Sequence, residues 1–290
     1  MPVVVILLVF IFGTIIGSFL NVVILRYNTG KNIFGPKERS ICFSCAKKLE
    51  WYELVPVFSF FFLRAKCSAC KSPISWQYPL VEIATGLVFV GIFVQNFSAT
   101  NFSAIVTVLY AAIWSLLIVI TVYDFRHKII PDGLVYTFAS LSLISAFLTG
   151  SGGGFLGSIL AGVVFFAFFA GLWLVSGGRW LGFGDAKLVL GVGFLLGFFG
   201  GLSALALAFW IGAVVSIFLL SLSWLGKELN KRLVDKKDKK VVQSSGLRGR
   251  LFTLTMKSEI PFAPFIILGT LIVFFCSIDI FGTARLLFTI

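Results

Sequence analysis

Two aspartates, Asp124 and Asp185, stand where long apolar runs meet short polar loops, and the second closes the tetrapeptide Gly182-Phe183-Gly184-Asp185. Carboxylates are scarce in this chain, with twelve Asp and Glu among 290 residues. An acid beside so much apolar sequence is costly to bury unless it serves a function or has partners that satisfy it. Two acids that converge from separate helices would indicate acid–base chemistry at a membrane surface.

A pair of close carboxylates is suited to peptide hydrolysis. The two groups cannot both ionise readily, so they share one proton: the ionised member activates a water, and the protonated member donates a hydrogen bond to the scissile carbonyl. Other hydrolytic schemes lack parts in this sequence. His127 is the only histidine and has no Gly-x-Ser-x-Gly partner, and there is no His-Glu-x-x-His motif.

Each aspartate also has a plainer interpretation as a helix-terminal residue. Asp185 follows glycines and precedes an apolar run, as a helix N-cap does. Asp132 follows Pro131 at the start of another apolar run, where an acid suits the positive end of a helix dipole. Asp124 ends its apolar run, where the dipole disfavours a negative charge. Helix stabilisation therefore explains Asp124 least.

Two other functions remain open for the same residues. A proton-coupled transporter could use the aspartates as relay groups, but it would place them near mid-bilayer and show broken helices in two matching halves. A metal-dependent membrane scaffold is the second alternative. Substituting either aspartate would leave a scaffold working and inactivate a peptidase. No internal repeat is evident along the chain.

Four cysteines form a second constellation, as two Cys-x-x-Cys pairs separated by 21 residues. Two such pairs can close four thiolates around one tetrahedral Zn²⁺, and neighbouring lysines favour the thiolate form. The alternative is two disulfides, which are rare in the reducing compartment where the charge pattern places this loop. We therefore expect a structural zinc site. Its ligands would be Cys42, Cys45, Cys67 and Cys70.

The composition is that of a polytopic helical membrane protein. The chain is 59% hydrophobic and 12% charged, with a mean hydropathy of +1.03. Soluble domains are less apolar and about 25% charged, and apolar runs of about 20 residues match the thickness of a bilayer. We predict an all-α fold with about eight transmembrane helices. The expected spans are 3–25, 79–95, 103–123, 129–148, 155–176, 187–200, 202–225 and 260–284.

The basic residues are distributed very unevenly among the loops. Nine fall in 26–78, two in 124–128, two in 177–187 and ten in 226–259, which leaves only Arg285 elsewhere. By the positive-inside rule these four regions face the cytoplasm. The net charge of +12 therefore reports topology and contact with the lipid bilayer, and we expect no nucleic-acid partner.

The same pattern predicts the domain organisation. Residues 1–25 form the first transmembrane helix, 26–78 a cytoplasmic four-cysteine domain, and 79–225 a transmembrane core. Residues 226–259 form a basic cytoplasmic loop, and 260–290 carry the last transmembrane helix.

Taken together, these segments resemble the bacterial type IV prepilin peptidases, a branch of the GxGD membrane aspartyl proteases. The paired Cys-x-x-Cys units lie in the loop where that family has them. Ala263 stands where a glycine is expected, and the loop 226–259 is longer than usual. The matching segments are Gly17–Asn21, Tyr78–Glu82, Asp124 with Ile130–Asp132, Gly182–Asp185 with Lys187, and Ile260–Pro264.

The resemblance implies a function and the residues that perform it. Members remove the leader peptide of prepilins or pseudopilins at the cytoplasmic face of the bacterial inner membrane, and their catalytic acids map onto Asp124 and Asp185. Gly182 and Gly184 belong to the active-site loop, where small residues let the backbone approach an extended substrate. Members with the cysteine domain also methylate the new N-terminus with S-adenosylmethionine, for which no motif is evident here.

Overall fold

The structure is a computed structural model. It describes residues 3–29, 40–97, 103–150, 154–236, 261–277 and 280, with only the backbone described from 226 to 236. The described residues form eight α-helices and one short 3-10 helix. Within these ranges there is no β-strand, only two isolated bridges. The 3-10 helix spans Trp51–Leu54. The α-helices are α1 (Val3–Arg26), α2 (Phe58–Phe62), α3 (Gln77–Phe97), α4 (Ala104–His127), α5 (Asp132–Thr149), α6 (Phe155–Ser176), α7 (Phe183–Lys236) and α8 (Ala263–Cys276).

Six of the described helices, α1 and α3 to α7, are long and apolar enough to cross a membrane. This confirms the all-helical membrane fold predicted from the sequence. The count differs from the predicted eight for two reasons. The predicted spans 187–200 and 202–225 lie within α7, and α8, at 14 residues, is shorter than a full span. Helix α7 also continues to Lys236, beyond the predicted end at 225, and the basic loop from 237 to 260 lies outside the described residues.

Helix α7 reverses direction at Gly197, whose φ of 69° and ψ of −169° are not helical. The ring of Phe183 lies 5.0 Å from that of Trp173, and the ring of Phe209 lies 6.3 Å from that of Phe169. Residues 183 and 209 of a straight helix would be about 39 Å apart, whereas residues 169 and 173 of α6 are about 6 Å apart. The two segments of α7 therefore fold back along α6, which accounts for two of the predicted spans.

Glycines let these helices approach closely. A Cβ atom on Gly13 would lie 2.8 Å from the Cα of Gly86, which brings α1 against α3. A Cβ on Gly17 would lie 2.7 Å from the Cα of Glu82 in the same interface. Small residues at such crossings are how membrane helices gain packing contacts where no hydrophobic effect drives them together. The largest fully buried side chains are those of Trp114, Phe138 and Phe169.

A matched pair of glycines on α6 tests this packing. A Cβ on Gly162 would lie 2.7 Å from the carbonyl oxygen of Leu190 and would overlap the ring of Phe194, whereas a Cβ on Gly171 meets nothing within 4 Å. We expect Gly162→Ala to destabilise the protein by about 1–3 kcal/mol through overpacking. Gly171→Ala should leave stability unchanged or raise it slightly, since alanine favours helix. Thermal unfolding in detergent measures both, and equal midpoints would contradict the observed α6–α7 contact.

Candidate active site and metal centre

Asp124 lies in the last turn of α4 and is almost completely buried, with 4% of its surface exposed. Its carboxyl group accepts a hydrogen bond from the backbone N–H of Ala263, the first residue of α8. The first N–H groups of a helix have no partner within that helix, so they are available to an anion. The negative charge at the unfavourable end of α4 is thus stabilised by the favourable end of α8.

Asp185 is the third residue of α7 and is 6% exposed. Its Oδ2 accepts a hydrogen bond of 3.2 Å from the backbone N–H of Gly182, and its own N–H donates to the Gly182 carbonyl at 3.1 Å. The side chain therefore reaches back to the residue before the helix, as the acidic member of a capping box does. This holds the carboxyl group at the helix start.

The fold brings the two predicted acids together. Asp124 and Asp185 come from different helices, and their carboxyl groups lie near enough for their charges to repel each other. Both are shielded from solvent by the packed helix ends, so the repulsion is weakly screened. Such repulsion disfavours the state in which both carboxyl groups are ionised. A state with one ionised and one neutral carboxyl group would contain both a general base and a hydrogen-bond donor.

The two glycines of the loop have different surroundings. A Cβ on Gly184 would lie 2.9 Å from the Cβ of Ile130, in the connection between α4 and α5. A Cβ on Gly182 would meet only Oδ2 of Asp185, at an ordinary 3.4 Å. Gly184 is therefore needed so that the α4–α5 connection can pack on the start of α7. That contact lies six residues after Asp124 in the chain and directly before Asp185.

Asp132 begins α5, as its position after Pro131 predicted. Its Oδ1 accepts a hydrogen bond of 2.7 Å from the Nζ of Lys187, and the aspartate side chain is largely exposed. The lysine lies over the ring of Phe183 at 4.9 Å. Asp132 thus joins the start of α5 to the start of α7 and lies outside the buried pair.

The four predicted cysteine ligands also converge. The sulfur atoms of Cys42, Cys45, Cys67 and Cys70 all lie within 4.8 Å of one another. None is in a disulfide, and the Sγ atoms of Cys42 and Cys70 are 3.8 Å apart. A tetrahedral ion with metal–sulfur bonds of about 2.3 Å needs sulfur atoms about 3.8 Å apart. The cluster therefore fits a single tetrahedral metal ion.

The two cysteine pairs lie on structurally equivalent turns, 25 residues apart. The N–H of Cys42 donates to the Lys47 carbonyl and that of Cys67 to the Ser72 carbonyl, both at 2.9 Å. The bridge Ile41–Lys48 likewise corresponds to Lys66–Pro73. The sequence shows no evident internal repeat, and the repeat found here is one of backbone geometry. The cysteines and a following tryptophan (Trp51 and Trp76) repeat while most other side chains differ, so the repeat is visible mainly in the backbone.

A partly buried ion pair links the two turns. Nζ of Lys47, in the first turn, donates to Glu53 at 3.0 Å and to the hydroxyl of Ser68, in the second turn, at 2.7 Å. The Ser68 hydroxyl in turn donates to Glu53. The Ser68 hydroxyl, the backbone N–H of Glu50 and the Lys47 ammonium lower the pKa of Glu53 to about 2. Within the cluster, backbone N–H groups of Cys45 and Ser44 lower the pKa of the Cys42 thiol.

Glu82 connects the cysteine domain to the helix bundle. It is buried in α3 and accepts a hydrogen bond of 2.7 Å from the backbone N–H of Val57. Val57 has a φ of 63° and sits at the centre of a γ-turn closed by a 2.6 Å bond from the N–H of Phe58 to the Pro56 carbonyl. That conformation is strained for a β-branched residue. The carboxyl group compensates part of the strain and fixes the domain against α3.

Sequence reasoning missed the partners that hold these groups. The Ala263 amide, the Ile130 contact, the Lys47–Glu53–Ser68 network and the Val57 amide were not predicted. Two of the four are backbone donors, which leave no mark in a list of side chains. The Val-Pro-Val stretch before α2 and the proline after Ala263 were the available signals, because proline marks tight turns and helix starts.

A helical membrane protein with a buried aspartate pair and a four-cysteine domain has the parts of a membrane aspartyl peptidase. Two protein-family models match the chain. The model described as "Bacterial Peptidase A24 N-terminal domain" matches residues 11–96, and the one described as "Type IV leader peptidase family" matches residues 111–217. The first match contains the four cysteines and Glu82, and the second contains both aspartates. The chain belongs to the type IV leader peptidase family, which confirms the resemblance seen in the sequence.

Several curated relatives carry the name "prepilin leader peptidase/N-methyltransferase". The chain is 35% identical to the one from Myxococcus xanthus, over 73% of this chain and 62% of that protein. It is 34% identical to the one from Bacillus subtilis, over 78% of this chain and 86% of that protein. The relative from Stutzerimonas stutzeri is 33% identical, over 75% and 81% of the two chains. No solved structure matches the chain significantly.

The contrast between the two loop glycines gives a prediction for this site. We expect Gly184→Ala to displace Ile130 and the start of α7, and so to lower any activity that depends on Asp185 by roughly 100-fold, as a misplacement of about 1 Å does. Gly182→Ala should keep most of that activity, since its Cβ has room. The rate of prepilin cleavage by the two purified variants measures this, and their unfolding temperatures check that both are equally well folded. The reverse order of activities would contradict the observed loop packing.

Proposed function

We propose that this chain removes the leader peptide of type IV prepilins or pseudopilins, with Asp124 and Asp185 as the catalytic pair. The observation that supports this most is the convergence of two shielded carboxyl groups from separate membrane helices, within the segment that matches the leader peptidase family. The names of the relatives point to the same substrate class.

The geometry supports a water-mediated hydrolysis. The ionised aspartate removes a proton from a water, which attacks the scissile carbonyl while the protonated aspartate donates to the carbonyl oxygen. Collapse of the tetrahedral intermediate breaks the C–N bond, and the first aspartate returns its proton to the leaving amine. The amides of Ala263 and Gly182 orient the two carboxyl groups through this cycle. A helical substrate must unwind locally, because its peptide bonds are otherwise shielded.

In this proposal the active site lies at the cytoplasmic face of the bacterial inner membrane. Both aspartates lie at the helix ends beside the connections 124–128 and 177–187, which carry basic residues, and the cysteine domain extends from the same end through Val57 and Glu82. Basic connections are retained on the cytoplasmic side. Prepilin leaders would therefore be cut before the pilin is assembled on the outer side.

A second activity follows from the full name of the relatives. The chain would transfer a methyl group from S-adenosylmethionine to the N-terminus that cleavage exposes. The amine is created only by the first reaction, so methylation must come second. No described residue is assigned to the methyl donor.

The cysteine cluster would hold one structural Zn²⁺ in this proposal. Four thiolates with tetrahedral spacing suit zinc, and four protein ligands leave no open position for catalysis. A domain this small lacks a sufficient core of its own, so the ion would supply much of its folding free energy.

The catalytic pair is tested by conservative substitution. We expect Asp124→Asn and Asp185→Asn each to reduce prepilin cleavage by roughly a thousandfold or more, because neither variant can pass a proton between base and donor. The measurement is a cleavage assay on detergent-purified protein, with thermal unfolding as a check that each variant folds.

The matched control is Asp132→Asn. Its exposed ion pair with Lys187 contributes little, so activity should stay within about threefold of the original. A fully active Asp124→Asn, or an inactive but folded Asp132→Asn, would show that the wrong first acid was chosen. Methyl transfer is tested by the same assay with labelled S-adenosylmethionine, which should place label on the cleaved product alone.

The orientation of the active site is tested with sealed membranes. Sealed inverted vesicles should process added prepilin, whereas sealed spheroplasts should not.

The zinc site is tested through the two adjacent lysines. Metal analysis of anaerobically purified protein should find one zinc per chain. Lys47→Met removes the partner of buried Glu53, and we expect the metal to be lost to a chelator roughly tenfold faster or more, as for other residues that support metal ligands. Lys48→Met should behave like the original chain. Equal rates of metal loss from the two variants would contradict the role of the Lys47–Glu53 pair. Two disulfides among the four cysteines would exclude the zinc site.

A further inference from the structure

The cysteine domain exposes an unusual number of large apolar side chains. We call Trp51, Tyr52, Val55, Phe58 and Phe62 the aromatic surface. All five are exposed, Phe62 at 84%. The rings of Trp51 and Tyr52 are 5.9 Å apart. Every member of the surface except Trp51 lines one shallow groove of about 290 Å³. A water-facing domain rarely exposes a patch of this kind, so the surface marks a partner.

The aromatic surface lies beside the end of a membrane helix. The N–H of Val57, directly before Phe58, donates to Glu82 of α3. Glu82 is five residues into α3, or about 7.5 Å along its axis, and the whole helix is about 31 Å long, the thickness of the hydrocarbon core. A bilayer spanned by α3 would therefore place α2 near the depth where lipid headgroups meet acyl chains.

Helix α2 also packs next to the lipid-facing side of α3. Phe60, on the opposite side of α2 from Phe58 and Phe62, packs on Trp76 with ring centroids 4.8 Å apart. Trp76, directly before α3, is exposed, as are Leu80 and Leu87 along one face of that helix. An apolar face on a membrane-spanning helix contacts lipid, so α2 lies beside a lipid-contacting surface.

The charges around the aromatic surface suit a lipid headgroup layer. Within residues 51–62 the one acid, Glu53, is buried against Lys47, and exposed Lys48 and Glu50, of opposite charge, precede Trp51. Exposed Arg64 and Lys66 follow α2 directly. Trp and Tyr prefer the membrane–water interface, and basic residues beside it attract anionic lipids.

We propose that α2 and the 3-10 helix lie in the membrane interface, with the aromatic surface inserted among the lipid headgroups and upper acyl chains. The cysteine domain is then held at two points, by Glu82 of α3 and by the bilayer itself. A domain anchored in this way keeps a fixed position along the membrane normal, beside the aspartate pair. The inference needs only the membrane fold and is independent of the peptidase reaction.

A photo-crosslinking experiment tests the occupant of the surface. The full chain is placed in nanodiscs of phosphatidylethanolamine and phosphatidylglycerol, with the photoreactive p-benzoylphenylalanine introduced at Phe62. The matched control carries it at Phe43, which is also on the cysteine domain and 75% exposed but lies in the first cysteine turn. We expect lipid adducts at Phe62 to exceed those at Phe43 by roughly fivefold, because only the former would reach the acyl region.

Mass spectrometry of the adducts decides between partners. Lipid adducts at Phe62 that persist when prepilin is added support the proposal. Equal lipid yields at Phe62 and Phe43, or replacement of lipid by prepilin adducts at Phe62, would overturn it, the latter in favour of peptide docking. Crosslinking requires no catalysis, so its failure and the failure of the proposed cleavage are separate results.

Discussion

The structure depends on keeping buried carboxyl groups stable at the ends of apolar helices, and it does so with backbone amides. Asp124 receives the N–H of Ala263, Asp185 that of Gly182, and Glu82 that of Val57. Helix starts and tight turns are where a folded chain has such amides to spare. The pattern differs for two other acids: exposed Asp132 and buried Glu53 each pair with a lysine. Backbone donors stabilise a carboxylate without adding the neighbouring cation that would remove its basicity, so they suit acids that must exchange protons.

Each of these amides comes from a different part of the chain, and this explains much of the architecture. The start of α8 must reach the end of α4, and the start of α7 must reach the same point, so the helices have to approach closely. Glycine contacts permit this: Gly184 admits Ile130, and Gly17 admits α3 beside Glu82. The reversal of α7 at Gly197 adds a segment that packs along α6. The strained turn at Val57 then joins the cysteine domain to this framework.

The sequence predicted the parts of this molecule better than their connections. Apolar runs identified the helices because burial in lipid requires about 20 such residues, and cysteine spacing identified the cluster because a tetrahedral ion imposes it. The break in α7 was placed after Gly200 and lies at Gly197, since a run rich in glycine gives no unique position for a turn. The Ala263 amide could not be predicted, because a backbone donor is common to every residue and only the tertiary fold selects one. The repeat of the cysteine turns was missed for a related reason: their hydrogen bonds repeat, while most of their side chains other than the cysteines and Trp51/Trp76 differ.

In the proposed mechanism, Asp124 and Asp185 act as one unit that holds a single proton. The dependence of the cleavage rate on pH measures this most directly, with a saturating prepilin substrate and no methyl donor present. A pair that needs one member ionised and the other protonated gives a rate that falls on both the acid and the alkaline side of an optimum, with apparent pKa values that belong to the pair. We expect that bell-shaped profile for this protein. A rate that rises with pH to a plateau, as for a single general base, would contradict it.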